Sequence, residues 1–104
     1  MPQFVVIARD AKDEGALARR LEVREAHIAL CDSALERGEQ IYGAALLNDE
    51  GNMCGSVMVF EMDSRAALDE YLKKEPYVQN KVWGEIEIIA CKTGPSFLKA
   101  LCGG

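Results

Sequence analysis

Hydrophobic positions recur along the chain with two spacings, and each change of spacing marks the start of a new predicted element. Runs rich in Val, Ile and Phe with strand-like spacing predict four β-strands, at residues 3–9, 40–47, 54–62 and 85–92. Helical spacing predicts two helices, at residues 15–37 and 65–74. The predicted order is therefore strand, helix, strand, strand, helix, strand.

Turn and capping residues separate these elements. Gly38 is a plausible stop for the first helix, and the polar segment 48–52 predicts a hairpin between the second and third strands. Asp63-Ser64 is a predicted N-cap for the second helix. Pro76 disfavours helical geometry at Glu75, so the second helix is expected to stop there.

This order predicts an α+β fold of the ferredoxin-like type, in which βαββαβ connections build an antiparallel sheet with the helices on one face. The chain has 104 residues, of which 49% are hydrophobic, which suits one domain and is too little for two. We expect a single domain over residues 1–104, with a core at about 3–92 and a C-terminal extension at 93–104. One helical turn is predicted within that extension, at residues 96–101.

The strands carry apolar residues on both faces. The first strand places Phe4, Val6 and Ala8 on one side and Val5 and Ile7 on the other, and residues 57–62 repeat this pattern. A sheet with one face in water should alternate apolar with polar residues. Because only two substantial helices are predicted, the second face is expected to pair sheet to sheet with another copy of the chain. The sequence therefore predicts a homodimer.

Composition excludes several classes of function. Twelve basic residues against 17 acidic ones give a net charge of −5, which disfavours binding to nucleic acid or to anionic lipid. The apolar runs are too short to span a membrane, and the N-terminus lacks the features of a signal peptide. A cytoplasmic location is expected, with the four cysteines reduced.

No metal or cofactor is expected from the motifs. The chain has no C-x-x-C pair and a single histidine, His27, whereas a structural zinc site needs Cys and His at short spacings. A Gly-rich phosphate loop of the kind that dinucleotides require is also missing from the sequence.

The first predicted helix combines an apolar stripe with a basic edge. The stripe predicted to face the core consists of Leu17, Leu21, Ile28, Cys31 and Leu35. Arg24 falls inside that stripe, and Arg20 and His27 flank it. Arg20, Arg24 and His27 have the spacing i, i+4, i+7, which lines one edge of a helix. Such an edge is suited to a small anion. Alternatively, the arginines pair with neighbouring acids and cover the core edge, and the histidine is structural or faces solvent.

Five segments, in order, resemble the YciI-like (YCII-related) family. They are Ala8-Arg9-Asp10 at the end of the first strand, the R-x-x-x-R-x-x-H pattern at residues 20–27, Gly43, the glycine-led strand at 55–60, and Glu75-Pro76-Tyr77-Val78. The resemblance spans about residues 3–92. The family has Asp where this chain has Glu75, so the acid here is one methylene longer.

The resemblance implies a ferredoxin-like subunit that pairs as a dimeric α+β barrel, with a pocket between sheet and helices. It implies that His27 acts with an acid, either Glu75 or Asp10. Relatives include a cofactor-free enzyme that eliminates chloride from a chlorinated hydroxyquinol. The implied function is cofactor-free proton transfer, by elimination or isomerisation, on a small aromatic or enolic anion.

In that hypothesis Arg20 and Arg24 bind the anion and Tyr77 donates a hydrogen bond. One alternative is a non-catalytic dimeric module that binds a small ligand or a protein partner. Another is a remnant whose pocket is filled by its own side chains, such as Trp83 or Met62.

Overall fold

Four strands and two long helices form in the predicted order, and one short helix is added. The computed structural model describes residues 1–97. Its elements are β1 (Gln3–Asp10), α1 (Ala16–Glu36), β2 (Gln40–Leu47), β3 (Met53–Glu61), α2 (Arg65–Lys73), α3 (Pro76–Gln79), β4 (Trp83–Cys91) and a 3₁₀ turn at Pro95–Phe97. The predicted turn at residues 96–101 lies largely outside the described residues.

The sheet is antiparallel throughout, with the strand order β2-β3-β1-β4 expected for a ferredoxin-like fold. At its centre β1 pairs with both β3 and β4, so that Val5 lies opposite Val59 and Ile89. Gly55 permits the close approach of β3 to β1. A Cβ at that position would lie 2.6 Å from the carbonyl oxygen of Ala8.

The core lies between the sheet and the helices. Phe4, Val6 and Ala8 of β1 are buried there with Met58 and Phe60 of β3, and α2 adds Leu68, Tyr71 and Leu72. These are the residues that alternation assigned to one face of the strands. Their burial confirms that the helices cover this face.

The opposite face of the sheet is apolar as well. The strand register places Val5 and Ile7 of β1 on the same face as Val57 and Val59 of β3 and Ile89 of β4. Within residues 1–97 no helix covers this face, and Ile89 is 42% exposed. The sequence prediction of two-sided strands is therefore confirmed.

The predicted orientation of α1 is wrong. Leu21, Ile28 and Leu35 of the apolar stripe are 55%, 39% and 62% exposed, whereas Arg20 is 2% exposed. The buried helix face instead consists of Ala16, Arg20 and Ala34, with Val23 and Leu30 packed against the core. The physical reason is that polar residues on the inward face find partners on β1, β3 and α3. None of the helices in residues 1–97 has the length and apolarity needed to cross a bilayer.

Candidate functional site

A cavity of about 400 Å³ opens between α1 and the edge of the sheet. The wall on α1 is formed by residues between Arg20 and Leu35, and residues 40–45 of β2 form the facing wall. Met53, Ser56, Met58 and Tyr77 complete the lining. Leucine and isoleucine side chains that the sequence assigned to the core therefore lie beside an open cavity.

His27 of α1 and Glu75 form a close pair in this region. The Nδ1 atom of His27 lies 2.6 Å from Oε1 of Glu75, whose side chain is fully buried. In the tautomer that carries its proton on Nδ1, the Nδ1–H group donates this hydrogen bond and Oε1 of Glu75 accepts it. In the neutral ring this leaves the lone pair of Nε2 free to accept a proton.

Local backbone geometry explains why Glu75 is positioned so well. Glu75 is the N-cap of α3, with an extended backbone (φ −69°, ψ 121°), and Pro76 occupies the first position of that helix. The backbone N–H of Tyr77 donates to the same Oε1 at 3.2 Å. The longer Glu side chain thus caps a helix and reaches the imidazole, while Oε2 has no hydrogen-bond partner among residues 1–97.

Aromatic rings hold the imidazole in place. Tyr77 stacks on His27 with ring centroids 4.0 Å apart and an interplanar angle of 14°. The guanidinium carbon of Arg20 lies 4.6 Å from the centroid of the Tyr77 ring, and Trp83 packs edge-on against both rings. Burial raises the pKa of Tyr77, so its hydroxyl stays protonated near neutral pH. Together, the stacked ring of Tyr77 and the edge-on ring of Trp83 restrict the rotation of the His27 imidazole.

Arg20 is occupied by protein partners. Its Nε and Nη2 atoms donate to the two carboxylate oxygens of Asp10 at 2.9 and 3.1 Å. Nη2 also donates to the carbonyl of Gly55 and to the hydroxyl of Ser56, both at 2.8 Å. Of the two acids predicted as partners for His27, Glu75 therefore makes the contact, and Asp10 pairs with Arg20 instead. With its donors used in this way, Arg20 is a support of the site rather than a free anion clamp.

Arg24 differs from Arg20 in its exposure and in its ion pairing, although both arginines line the cavity. It is exposed, lines the cavity, and forms no ion pair with any acid in residues 1–97. Its positive charge is close enough to lower the pKa of Tyr77 against the larger effect of burial. Of the two predicted anion-binding arginines, Arg24 is the one available to a ligand.

Cys31 belongs to the same cluster, and the sequence reasoning missed it. Its sulfur lies 3.5 Å from Nε2 of His27, one helical turn away, and the residue lines the cavity. Burial, followed by the charge of Glu75, raises the pKa of the Cys31 thiol to about 11. The i, i+4 spacing from the only histidine was the available signal, but the cysteine was assigned to the core stripe.

One ligand atom each from His27, Cys31 and Glu75 lies within 4.8 Å of the others, a grouping that could hold a metal ion. However, Nδ1 and Oε1 at 2.6 Å are at hydrogen-bonding distance, so Glu75 already engages Nδ1. The possible ligand atoms outside this hydrogen bond are Nε2 of His27, the Cys31 sulfur and Oε2 of Glu75, which matches the three protein ligands of a catalytic zinc site only if Oε2 can turn toward the other two.

The cavity is not filled by the side chains considered for that role. Trp83 and Met62 are buried in the core, and neither lines the cavity. The interpretation as a remnant with a self-filled pocket is therefore wrong for the residues that the structure describes.

The sequence model of the YCII-related domain matches residues 3–92, and the chain belongs to that family. Comparison with curated proteins gave no match.

Several solved structures share the fold. One is 5-chloro-2-hydroxyhydroquinone dehydrochlorinase from Burkholderia phenoliruptrix, in complex with 2,5-dihydroxybenzoquinone, with 19% identity, a TM-score of 0.77, and coverage of 90% of this chain and 97% of that one. A protein from Agrobacterium tumefaciens has 21% identity and a TM-score of 0.52, covering 91% and 95%. A dimeric ferredoxin-like protein from an uncultured marine organism has 16% identity and a TM-score of 0.50, covering 90% and 97%. These likenesses confirm the ferredoxin-like fold.

Proposed function

We propose that this YciI-like protein is a cofactor-independent enzyme that transfers a proton on a small aromatic or enolic anion, with elimination as the favoured reaction. The observation that carries the proposal is the contact between His27 and the fully buried Glu75 beside an open cavity. A positioned imidazole backed by a carboxylate is sufficient for general acid–base chemistry.

In the proposed step, Nε2 of His27 removes a proton from the substrate. The electron pair of the broken C–H bond forms a new double bond. The leaving group departs with the electron pair of the bond that joined it to the neighbouring carbon. Glu75 stabilises the imidazolium that results, because its carboxylate accepts the Nδ1 hydrogen bond at 2.6 Å. In an isomerisation the same imidazolium would return the proton to a different carbon. A general base of this kind contributes roughly 10² to 10⁴ in rate.

Substrate recognition is assigned to Arg24 and Tyr77. The exposed Arg24 guanidinium can pair with a carboxylate or phenolate, and Tyr77 remains a phenol that can donate a hydrogen bond. Arg20 also supports Tyr77, because its guanidinium lies over the Tyr77 ring. The apolar side chains of Ile28 and Met58 leave the rest of the cavity suited to an aromatic ring.

The fold shared with the dehydrochlorinase supports the choice of elimination. That protein acts on a chlorinated hydroxyhydroquinone and binds a dihydroxybenzoquinone. A ring of this size carrying an acidic hydroxyl group matches a cavity of about 400 Å³ with one free arginine. Chlorinated hydroquinols are therefore the first substrates to test.

Arg24 also supports a second candidate, the non-catalytic module that binds a small anion. An unpaired exposed arginine at a cavity binds an anion whether or not a reaction follows. In that case Arg24→Gln would weaken binding, and no variant at His27 would change the chemical state of the ligand.

The proposal is tested by chloride release from a panel of chlorinated hydroquinols and chlorophenols. We expect His27→Gln and Glu75→Gln each to lower kcat, the former by about 10² or more if the imidazole is the general base. Glu36→Gln is the matched control, because Glu36 is an exposed acid at the end of α1 and loses the same charge. Chloride release by His27→Gln at the wild-type rate would refute the mechanism.

We further propose that the protein is a homodimer joined through the uncovered sheet face. The apolar side chains of Val5, Ile7, Val57, Val59 and Ile89 supply a continuous surface for this contact. The same arrangement is consistent with the dimeric ferredoxin-like protein that shares the fold.

A further inference from the structure

The proposed proton transfer does not use the thiol of Cys31, although this residue also lines the cavity. Cys31 lies next to His27 on the side of the ring away from Glu75. Oε1 of Glu75 lies 2.6 Å from Nδ1 of His27, and Nε2 of His27 lies 3.5 Å from the sulfur of Cys31. Acid, imidazole and thiol are thus connected in the order used by nucleophilic triads.

We propose that Cys31, His27 and Glu75 form a nucleophilic triad whose thiol adds covalently to an α,β-unsaturated carbonyl compound bound in the cavity. The inference rests on the His27–Glu75 pair that the proposed function also uses, but it assigns a different residue and a different reaction.

Gln40 gives this cluster an independent polar group. Its side chain is only 6% exposed, it lines the cavity, and its Oε1 has no partner among residues 1–97. The nearby Gln40 side chain lowers the pKa of the Cys31 thiol against the larger effect of burial. An amide N–H in this position can stabilise the negative charge on sulfur once its proton has been removed.

The reactivity of Cys31 depends on His27, because the thiol has a raised pKa and needs a base to remove its proton. Burial and the charge of Glu75 raise the pKa of Cys31 to about 11, so the resting group is the thiol. A thiol is a poor nucleophile until its proton is removed. Nε2 of His27 is the base within reach, and Glu75 stabilises the ring once it is charged.

The addition conserves atoms and electrons without a co-reactant. The S–H proton moves to Nε2 while the sulfur lone pair forms a C–S bond to the β-carbon. The π electrons of the C=C bond move to the carbonyl oxygen as an enolate. The imidazolium then returns its proton to the enolate, and the product is a thioether adduct of the intact ligand.

The test uses the full chain and N-ethylmaleimide, which is a simple unsaturated carbonyl probe. The rate of adduct formation is followed at each cysteine by peptide mass spectrometry, in the wild type and in His27→Gln. We expect the Cys31 adduct to form about 10²-fold faster in the wild type, which is the lower end of general-base effects. Cys54 and Cys91 serve as internal references whose rates should not change.

Glu75→Gln should slow labelling of Cys31 as well, whereas Glu36→Gln should not. Unfolding of a variant would expose Cys31 and raise its rate, so a slower rate reports loss of the base and not loss of structure. Equal Cys31 rates in the wild type and His27→Gln would overturn the triad. Labelling that begins only after the purified protein is treated with a chelator would also overturn it, because the thiol would then be a metal ligand.

Failure of this inference is separable from failure of the proposed function. Chloride release reports the proposed function and needs no adduct at Cys31, whereas labelling by N-ethylmaleimide reports the thiol and needs no chlorinated substrate. His27→Gln should lower both rates. Wild-type chloride release that depends on His27, together with Cys31 labelling that does not depend on His27, would therefore refute only the triad.

Discussion

The buried ion pair between Asp10 and Arg20 gives the sharpest prediction about stability. Asp10→Asn keeps the shape of the side chain but removes its charge and replaces one acceptor oxygen with a donor. The side chains of Arg20 and Asp10 are only 2% and 7% exposed, so the guanidinium that remains would be a charge without a counter-ion in the interior.

The expected loss follows from the contacts that remain. Removing one partner of a buried pair typically costs about 3–5 kcal/mol. Arg20 would keep its bonds to the Gly55 carbonyl and the Ser56 hydroxyl, so we place the loss at the lower end, about 3 kcal/mol. For a domain of this size that corresponds to a fall in Tm of about 12 °C or more.

The assay is urea unfolding at one fixed protein concentration, because dimer formation would make stability depend on concentration. Asp13→Asn is the matched control. Asp13 also binds an arginine through two oxygens, with distances of 2.7 and 2.8 Å to Arg19, but that pair is exposed. Solvent screens it, so its loss should be far smaller.

A further variant separates the charge from the packing. Adding Arg20→Met to Asp10→Asn removes the uncompensated guanidinium, so part of the lost stability should return. If Asp10→Asn were no more destabilising than Asp13→Asn, the interpretation of Arg20 as an internally neutralised support of the site would be refuted.

Three further predictions concern packing, assembly and pH. Gly55→Ala should destabilise the protein by about 1–3 kcal/mol in the same urea assay, because its Cβ would lie 2.6 Å from the Ala8 carbonyl oxygen; an unchanged midpoint would contradict that clash. Val59→Lys should convert the proposed dimer to a monomer in analytical ultracentrifugation, and a dimer of unchanged affinity would argue for another interface. Arg19 lowers the pKa of Asp13 to about 2, so the stability contributed by this pair is present above the ordinary aspartate pKa of 3.8 and is lost as the pH falls toward about 2. The stabilities of wild type and Asp13→Asn should converge over that range, and a constant difference would contradict the shift.

Much of the fold could be predicted because strand alternation is a local property. The two-sided pattern of Val5 and Val59 against Val6 and Met58 required only the period of the strand, and the register of the sheet agrees with it. The extra helix α3 was missed because Pro76 reads equally as a helix stop and as the first residue of a new helix.

The orientation of α1 could not be predicted, because it depends on partners far away in the chain. Counting apolar residues favours burying Leu21 and Leu35, yet Arg20 and His27 turn inward instead. Their partners, Asp10 and Glu75, lie on β1 and at the start of α3, and only the fold brings them to the helix. A helix whose inward face carries ion pairs therefore defeats a rule based on hydrophobicity alone.

For the residues of the candidate site as well, local sequence motifs could be used for prediction, whereas contacts between distant parts of the chain could not. The family resemblance pointed to His27 with either Glu75 or Asp10, and to Arg20 together with Arg24; the roles of these residues stay predictions. It could not separate the arginine that is neutralised by Asp10 from the one that remains exposed, because that difference lies in their contacts. Cys31 lies outside the quoted motifs, and it joins the site only through its distance to Nε2.

The most direct test of the proposed mechanism is ¹⁵N NMR of the imidazole, which needs no assignment because the chain has one histidine. At a pH where the ring is neutral, we predict the proton on Nδ1 and a bare Nε2 whose signal moves when a hydroxylated aromatic anion is added. Glu75→Gln should abolish this tautomer preference, and Glu36→Gln should leave it intact. A neutral ring protonated at Nε2, or an Nε2 signal that no such anion moves, would contradict the assignment of His27 as the base.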